Sequence, residues 1–281
     1  MKKFIDDSNL KESDVVVFGV SFNNKSDLML ERLRELNWFV ESFDIEKKRD
    51  LLKNIKVADI GNVKLKDVTK KVNSIIKDKK IPLILGSNHQ LTFHALKAFE
   101  NIKLLIFDAH GDIKDSFMDE RVAESVEGLN LSEKEKLKNN CTTWLRRYCE
   151  SGNPKNIMII GLRSCGEEDF KYIKENGISY FTPNQIRKNI EIVKEKLGNF
   201  VKNSNVYISI DIDAFDPSIA PAVNHPEPNG LIFSEFSELI KEISKGKILG
   251  IDLVEIKPIE GNEITEFLAI KLIFELFSYI K

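Results

Sequence analysis

The chain has 281 residues, with 42 lysines and arginines against 44 aspartates and glutamates and a formal net charge of −2. Hydrophobic residues make up 42% and charged residues 31%, the balance of a chain that folds around a core. Near-neutral charge excludes a broad electrostatic grip on nucleic acid. No apolar run approaches the roughly 18 residues of a membrane span, and the N-terminal MKKFIDDSNLKESD lacks the apolar stretch of a secretory signal. Neither a nucleic acid nor a membrane is therefore expected as a partner. Cys141, Cys149 and Cys165 form no CxxC pair and no even framework, so a reducing cytoplasm is the expected setting. Histidine is scarce: only His89, His94, His110 and His225 are available for imidazole chemistry.

In chain order, short apolar runs alternate with helical patterns. The runs fall at 14–20, 81–86, 102–110, 156–162, 178–182, 206–213 and 248–256. They are β-branched, nearly continuous and bounded by Gly, Asn, Asp or Pro, as strands buried on both faces of a parallel sheet are. Val68, Val72, Ile75 and Ile76 share one helical face, and segments 90–100, 166–176, 184–197, 234–244 and 263–280 have the same period. The last apolar tract, Phe267 to Ile280, is broken by Lys271 and Glu275, which predicts an amphipathic terminal helix. This alternation predicts an α/β fold with a mostly parallel sheet covered by helices. No Pro/Ser-rich linker divides the chain, so one domain over 1–281 is expected. Residues 113–140 differ, being polar, first acidic and then lysine-rich. They predict a solvated excursion with a helix near 132–138, placed after a strand, where α/β enzymes build their sites.

Several ionisable residues sit where a sheet should be apolar. Asp108, His110 and Asp112 follow one run, Asp211, Asp213 and Asp216 follow another, and His89 follows a third. A spacing of two places side chains on one side of an extended segment, so each set can converge at a strand end, where parallel sheets place ligands. One such aspartate would be read as a helix cap. Five carboxylates and two imidazoles on three strand ends repel or crowd one another unless cations neutralise them. Oxygen-rich donors with one imidazole per ion favour Mn²⁺ over a thiolate zinc site, and bridging carboxylates allow two ions about 3.5 Å apart.

GSNHQLT (86–92), FDAHGD (107–112), SIDIDAFDPSIAP (209–221) and LVEIKP (253–258) resemble the signature blocks of the ureohydrolase (arginase/agmatinase) family. ADIGNV (58–63), GLRS (161–164) and HPEPNGL (225–231) also match, so the likeness runs from about residue 14 to the end. The resemblance implies a three-layer α/β sandwich with an eight-stranded, mostly parallel sheet and a binuclear manganese centre, two Mn²⁺ per chain. It places His89, Asp108, Asp112 and Asp211 on one ion and His110, Asp108, Asp211 and Asp213 on the other, Asp108 and Asp211 bridging. It further implies that water acidified by the two ions attacks the carbon of a small guanidino substrate. Asp112 would pass a proton to the leaving amine, and Glu255 would pair with the guanidinium. A homo-oligomer, trimeric or hexameric, is implied as well. Asp216-Pro217 is read as a turn and His94 as structural.

The chain departs from the family pattern in three places. Where the first block usually reads GGDHS, Asn88 stands in place of the aspartate, a change beside a ligand that can weaken metal binding. A family histidine that precedes a Thr-x-x-Arg-Arg segment is missing. Matching on Thr143 and Arg146-Arg147 puts Cys141 there, and a one-residue slip puts Asn140 there. Cys141 is read either as a proton donor with an ordinary pKa near 8.5 or as a small apolar filler. His225, in the loop that lines the substrate in the family, is read as a compensating imidazole or as an exposed loop residue. Cys141, Asn140 and His225 thus join Glu255 as expected substrate contacts. Finally, arginases carry GLRDVD where this chain has Gly161-Leu162-Arg163-Ser164-Cys165-Gly166, so the aspartate for an α-amino group is replaced by Gly166. The resemblance therefore points to agmatine hydrolysis to putrescine and urea, a step of polyamine biosynthesis. Arginase, guanidinobutyrase or formimidoylglutamase activity, and a metal-binding homologue without catalysis, are the alternatives.

Overall fold

The computed structural model describes residues 3–5, 8–22, 24–126 and 131–280. The strands in chain order are β1 (Val15–Ser21), β2 (Phe43–Asp44), β3 (Arg49–Asp50), β4 (Val57–Lys64), β5 (Ile81–Gly86), β6 (Ile102–Phe107), β7 (Ile157–Ile160), β8 (Ser179–Phe181), β9 (Asn205–Asp211) and β10 (Lys247–Val254). β2 and β3 form a separate antiparallel hairpin. The other eight make one sheet in the order β4-β1-β5-β10-β9-β6-β7-β8, with parallel pairing throughout. This is the expected eight-stranded α/β architecture.

Both faces of the sheet are covered because successive side chains along each strand are apolar. Val15 and Val17 enter one core while Val16, Phe18 and Val20 enter the other. Likewise Leu105 and Phe107 point one way and Leu104 and Ile106 the other. The helices are α1 (Asn24–Leu36), α2 (Val68–Lys77), α3 (Gln90–Leu96), α4 (Glu120–Ser125), α5 (Glu133–Lys138), α6 (Trp144–Ser151), α7 (Glu167–Glu175), α8 (Pro183–Lys188), α9 (Ile190–Val201), α10 (Phe233–Ile240) and α11 (Ile264–Phe277). Met29, Leu30 and Leu33 of α1, Val193 and Leu197 of α9, Phe236 of α10 and Ile270 and Phe274 of α11 pack into the first core. Val68, Val72 and Ile75 of α2, Leu91 of α3, Trp144 and Leu145 of α6 and Ile173 of α7 pack into the second.

The structure departs from the sequence reading in several elements. β4 escapes the apolar-run criterion because its second half, Ile60 to Lys64, is only partly buried at the edge of the sheet, and its pairing with β1 shifts register between Val17 and Gly19. Its Asp59 is buried in a bidentate pair with Arg34 of α1, at 2.7 and 3.1 Å. The single helix read over 184–197 is two. Thr182 caps α8 through Gln185, Asn189 leaves helical geometry at φ −159°, and its side chain caps α9 through the Ile192 N–H. The excursion does carry its helix: Ser132 and Glu135 form a capping box at the start of α5. α11 is buried over most of its surface rather than along one stripe. Glu275 lies inside with 0% exposure and is bound by Lys47 and Ser237.

Candidate metal centre

Every residue of the acidic constellation sits at a strand C-terminus, and the sheet order makes those strands neighbours. His89 follows β5, Asp108 and Asp112 follow β6, Asp211 ends β9, Asp213 comes two residues later, and Glu255 follows β10. β5, β10, β9 and β6 are adjacent in the middle of the sheet. β5 and β6 are consecutive in this part of the chain yet lie on opposite sides of β9 and β10, which opens a crevice at their ends. The turn after β5 is tight: a Cβ on Gly86 would come within 2.1 Å of the Leu91 side chain. Asp112 and Glu255 both adopt left-handed backbone conformations, with φ of 47° and 67°. For residues other than glycine these cost about 1–3 kcal/mol and concentrate at functional sites.

His89 is fully buried, and its Nδ1 lies 3.3 Å from Asp108, 3.1 Å from Asp112 and 3.2 Å from Asp211. The opposite nitrogen, Nε2, lies 2.9 Å from Ser209 Oγ. Ser209 donates its own hydroxyl to Asp252 at 2.6 Å, so it accepts from His89. Tyr207 donates to the other Asp252 oxygen at 2.7 Å. This chain assigns the proton to Nε2 and turns the Nδ1 lone pair toward the carboxylates. Nδ1 has no hydrogen-bond partner although it is buried. His110 Nδ1 lies 2.9 Å from Asp213 and 3.8 Å from Asp108. Donor atoms of His89, Asp108 and Asp112 converge in one group and those of Asp108, His110 and Asp213 in a second. Asp108 belongs to both. Asp211 accepts the Asp213 N–H at 3.0 Å while facing His89.

Burial and mutual repulsion set the electrostatics of this cluster. Burial, with the charges of Asp112 and Asp213, pushes the Asp108 pKa up to about 7. Burial and the charges of Asp213 and Asp108 push Asp211 well above the usual carboxylate range. Burial opposes charge on the imidazoles, but the surrounding carboxylates outweigh it, raising His89 well above its ordinary value and His110 to about 10. Asp213 is also opposed by burial, yet the His110 hydrogen bond holds its pKa low. An orphaned buried imidazole nitrogen facing an oxygen-rich cluster is the donor set that hard divalent cations take.

A cavity of about 330 Å³ opens above this cluster. Its wall includes Asp112, Asp211, Asp213, His110, Cys141, His225, Glu255 and Lys257. Glu255 accepts the His89 backbone N–H at 2.8 Å, and burial raises its pKa. The His225 ring lies 6.1 Å from that of His110. Asn140 is not brought to the cavity. It is fully buried, and its amide donates to the carbonyls of Phe117, Lys136 and Leu137, so it holds the 113–140 excursion together. Asp216 does shape a turn, accepting from Ser218 and from the Gly230 N–H.

Sequence reasoning missed the residues that support the cluster. Trp144 donates its indole N–H to Asp112 at 2.9 Å. Glu227 accepts from Ser164 at 2.8 Å and lies 3.8 Å from His110 Nε2. Arg163 donates to the carbonyls of Gly161, Asp213, Ala214, Glu227 and Pro228, tying the end of β7 to the loop that carries His225. Glu227 and Arg163 lie in the HPEPNGL and GLRS blocks. Buried Asp252, inside an otherwise apolar strand, was the one signal that could have revealed the Ser209 relay.

A family model described as the arginase family matches residues 14–278. An arginase of Bacillus subtilis is 31% identical over 246 residues, covering 82% of this chain and 81% of its own length. An agmatinase of Halalkalibacterium halodurans is 27% identical over 291 residues, covering 96% and 93%. The crystal structure of agmatine ureohydrolase of Thermoplasma volcanium superposes with a TM-score of 0.83 at 30% identity, over 99% of this chain and 94% of that one. Nearly the whole chain is thus accounted for, and it belongs to the arginase family, hydrolases of guanidino C–N bonds.

Proposed function

We propose that this chain hydrolyses a guanidino compound to urea and an amine at a binuclear metal centre, with agmatine as substrate and putrescine as product. The observation that carries the reading is the convergence of two imidazoles and four carboxylates beneath a cavity walled by Glu255. His89, Asp108, Asp112 and Asp211 would hold one cation, and His110, Asp108, Asp211 and Asp213 the other, with manganese favoured by the oxygen-rich donors. When bound, the two cations supply positive charge that neutralises the carboxylates and acidifies water at neutral pH. The protein's own groups do the rest. Glu255, oriented by the His89 N–H at one oxygen, offers its other oxygen to the guanidinium. Asp112, at the cavity edge, carries the proton toward the leaving amine. Cys141 lines the cavity and would take the part of the histidine that the family carries near this segment. Gly166 stands where arginases carry an aspartate for an α-amino group, and the carboxylate beside it on the cavity wall, Asp169, is already paired with Lys114 at 3.1 Å, which suits agmatine, since agmatine lacks that amino group.

The test is urea or formamide release by Mn²⁺-loaded protein from agmatine, arginine, guanidinobutyrate and formimidoylglutamate. Agmatine should be turned over fastest, and Glu255→Gln should lower kcat/KM by at least about 100-fold while keeping the metal. Release from none of the four overturns the reading in favour of a homologue without catalysis. Wild-type turnover that Asp112→Asn abolishes excludes that homologue.

One observation favours a second substrate class. Lys257 lines the cavity, half-buried, and its charge opposes the upward push of burial on Glu255. Among the described residues it makes no ion pair. A guanidino acid would bring the counter-charge, and preference for guanidinobutyrate over agmatine, lost in Lys257→Met, would select this class.

The same proposal includes a homo-oligomer, trimeric or hexameric. Trp38, Phe39, Phe43 and Ile45 stand 63%, 74%, 56% and 80% exposed near the β2–β3 hairpin, an apolar face that a second copy would cover. Sedimentation velocity checks the assembly. A cytoplasmic setting agrees with three cysteines that form no disulfide. No helix among the described residues is long and apolar enough to cross a membrane.

A further inference from the structure

Trp144 opens α6 and is 1% exposed. Its Nε1–H donates to Asp112 Oδ2 at 2.9 Å, and that same oxygen lies 3.1 Å from His89 Nδ1. Its ring lies against the His89 ring, with centroids 4.7 Å apart and planes at 42°. The next residue, Leu145, donates its backbone N–H to the Asp112 carbonyl at 3.1 Å. Two successive residues therefore grip a residue whose backbone is left-handed. Asp112 also needs a grip more than its neighbours do. Its side chain is 14% exposed, against 2%, 5% and 7% for those of Asp108, Asp211 and Asp213. A carboxylate at the edge of an open cavity has fewer packing contacts to fix its rotamer, so a hydrogen bond matters more to its orientation.

We infer that Trp144 is a positioning residue of the metal centre. Its indole N–H fixes the Asp112 carboxylate and its ring fixes the His89 imidazole, so that both present their donor atoms to one cation. The inference rests on the metal reading proposed above. Donors of this kind to a ligand oxygen orient it, and losing one typically costs 10–100-fold in metal affinity. Phenylalanine at the same position keeps most of the ring packing and removes only the N–H.

The experiment is a Mn²⁺ titration followed by calorimetry and by tryptophan fluorescence. Trp38, the other tryptophan, is exposed, so Trp38→Phe leaves Trp144 as the sole reporter. In that background Mn²⁺ should quench the emission and Mg²⁺ should not. Trp144→Phe, with an unchanged circular dichroism spectrum, should bind Mn²⁺ about 10–100-fold more weakly. In the Asp112→Asn background the same substitution should change affinity less than twofold, because the partner it acts through has been altered. An affinity within twofold of wild type in folded Trp144→Phe overturns the inference, and so does an equal loss in both backgrounds, which marks a packing role. If Trp144→Phe does not fold, the wild-type indole N–H resonance decides. Slow hydrogen exchange and a shift on adding Mg²⁺, absent in Asp112→Asn, support the inference, and fast exchange with no shift overturns it. A wild-type protein that binds no Mn²⁺ overturns the metal reading itself.

Discussion

Ser209→Ala isolates the relay behind the metal centre without touching a proposed ligand. Ser209 is fully buried, accepts from His89 Nε2 at 2.9 Å and donates to Asp252 at 2.6 Å. Removing the hydroxyl leaves a buried imidazole N–H without its acceptor and leaves Asp252 with fewer donors. Burial already raises the Asp252 pKa, and losing a donor raises it further. An orphaned buried donor costs about 1–3 kcal/mol. For a chain of this size that corresponds to a fall in Tm of roughly 2–4 °C per kcal/mol, so about 4–8 °C for a loss near 2 kcal/mol. The second effect is on the tautomer. With Ser209 gone, nothing holds the proton on Nε2, and the fraction of His89 presenting a free Nδ1 falls. Mn²⁺ affinity should drop about 10–100-fold, the range for losing a partner behind a metal-binding histidine. Thermal unfolding followed by circular dichroism without metal reads the first effect, and titration calorimetry with Mn²⁺ reads the second. A folded Ser209→Ala protein with wild-type Mn²⁺ affinity would refute the tautomer argument, even if its Tm had fallen.

Four further outcomes are expected. Cys141→His adds a third imidazole to the cavity wall, beside those of His110 and His225, and should raise kcat at pH 7 several-fold; an unchanged or lower kcat removes Cys141 from the proton path. Arg34→Met strands Asp59 in a pair whose side chains are both 1% exposed, and urea denaturation should show a loss of about 3–5 kcal/mol. The third concerns His94, whose pKa burial lowers from 6.5 to about 4. Its contribution is present above pH 6.5 and is lost as pH falls toward 4. His94→Gln should therefore reduce the stability difference between pH 7 and pH 5 by about 1–3 kcal/mol, and parallel urea melts at those two pH values measure it. Last, protons compete with cations for Asp108 and Asp211, whose pKa values are raised. The Tm gain on adding Mn²⁺ should thus be larger at pH 8 than at pH 6, and equal gains would count against those aspartates as ligands.

The strands and the donor set were legible in the linear sequence because both obey local rules. Continuous β-branched runs mark strands buried on two faces, whereas Asp211 and Asp213 converge through the 3-10 turn Ile212–Ala214 that Asp211 caps, not along the extended segment that the spacing of two implied. Capping chemistry was equally local, as Ser132 with Glu135 shows. The edge strand β4 and helix α1 carry no such local signal. Their defining contact, Asp59 with Arg34, joins residues 25 apart and appears in neither segment alone. The histidine-position question was likewise open in the sequence, where Asn140 and Cys141 differ by one place. The packing of α5 and α6 turns the Asn140 amide inward onto three carbonyls and leaves Cys141 on the cavity wall. Trp144, Ser209, Asp252 and Glu227 are tertiary in the same sense. The sequence by itself determined which donor atoms exist and on which strand ends they lie. The tertiary structure decided that β5, β10, β9 and β6 are neighbours, and hence that those donors meet. Strand order and side-chain partners are set by long-range burial, which sums over the whole chain, whereas periodicity and spacing are properties of a few consecutive residues.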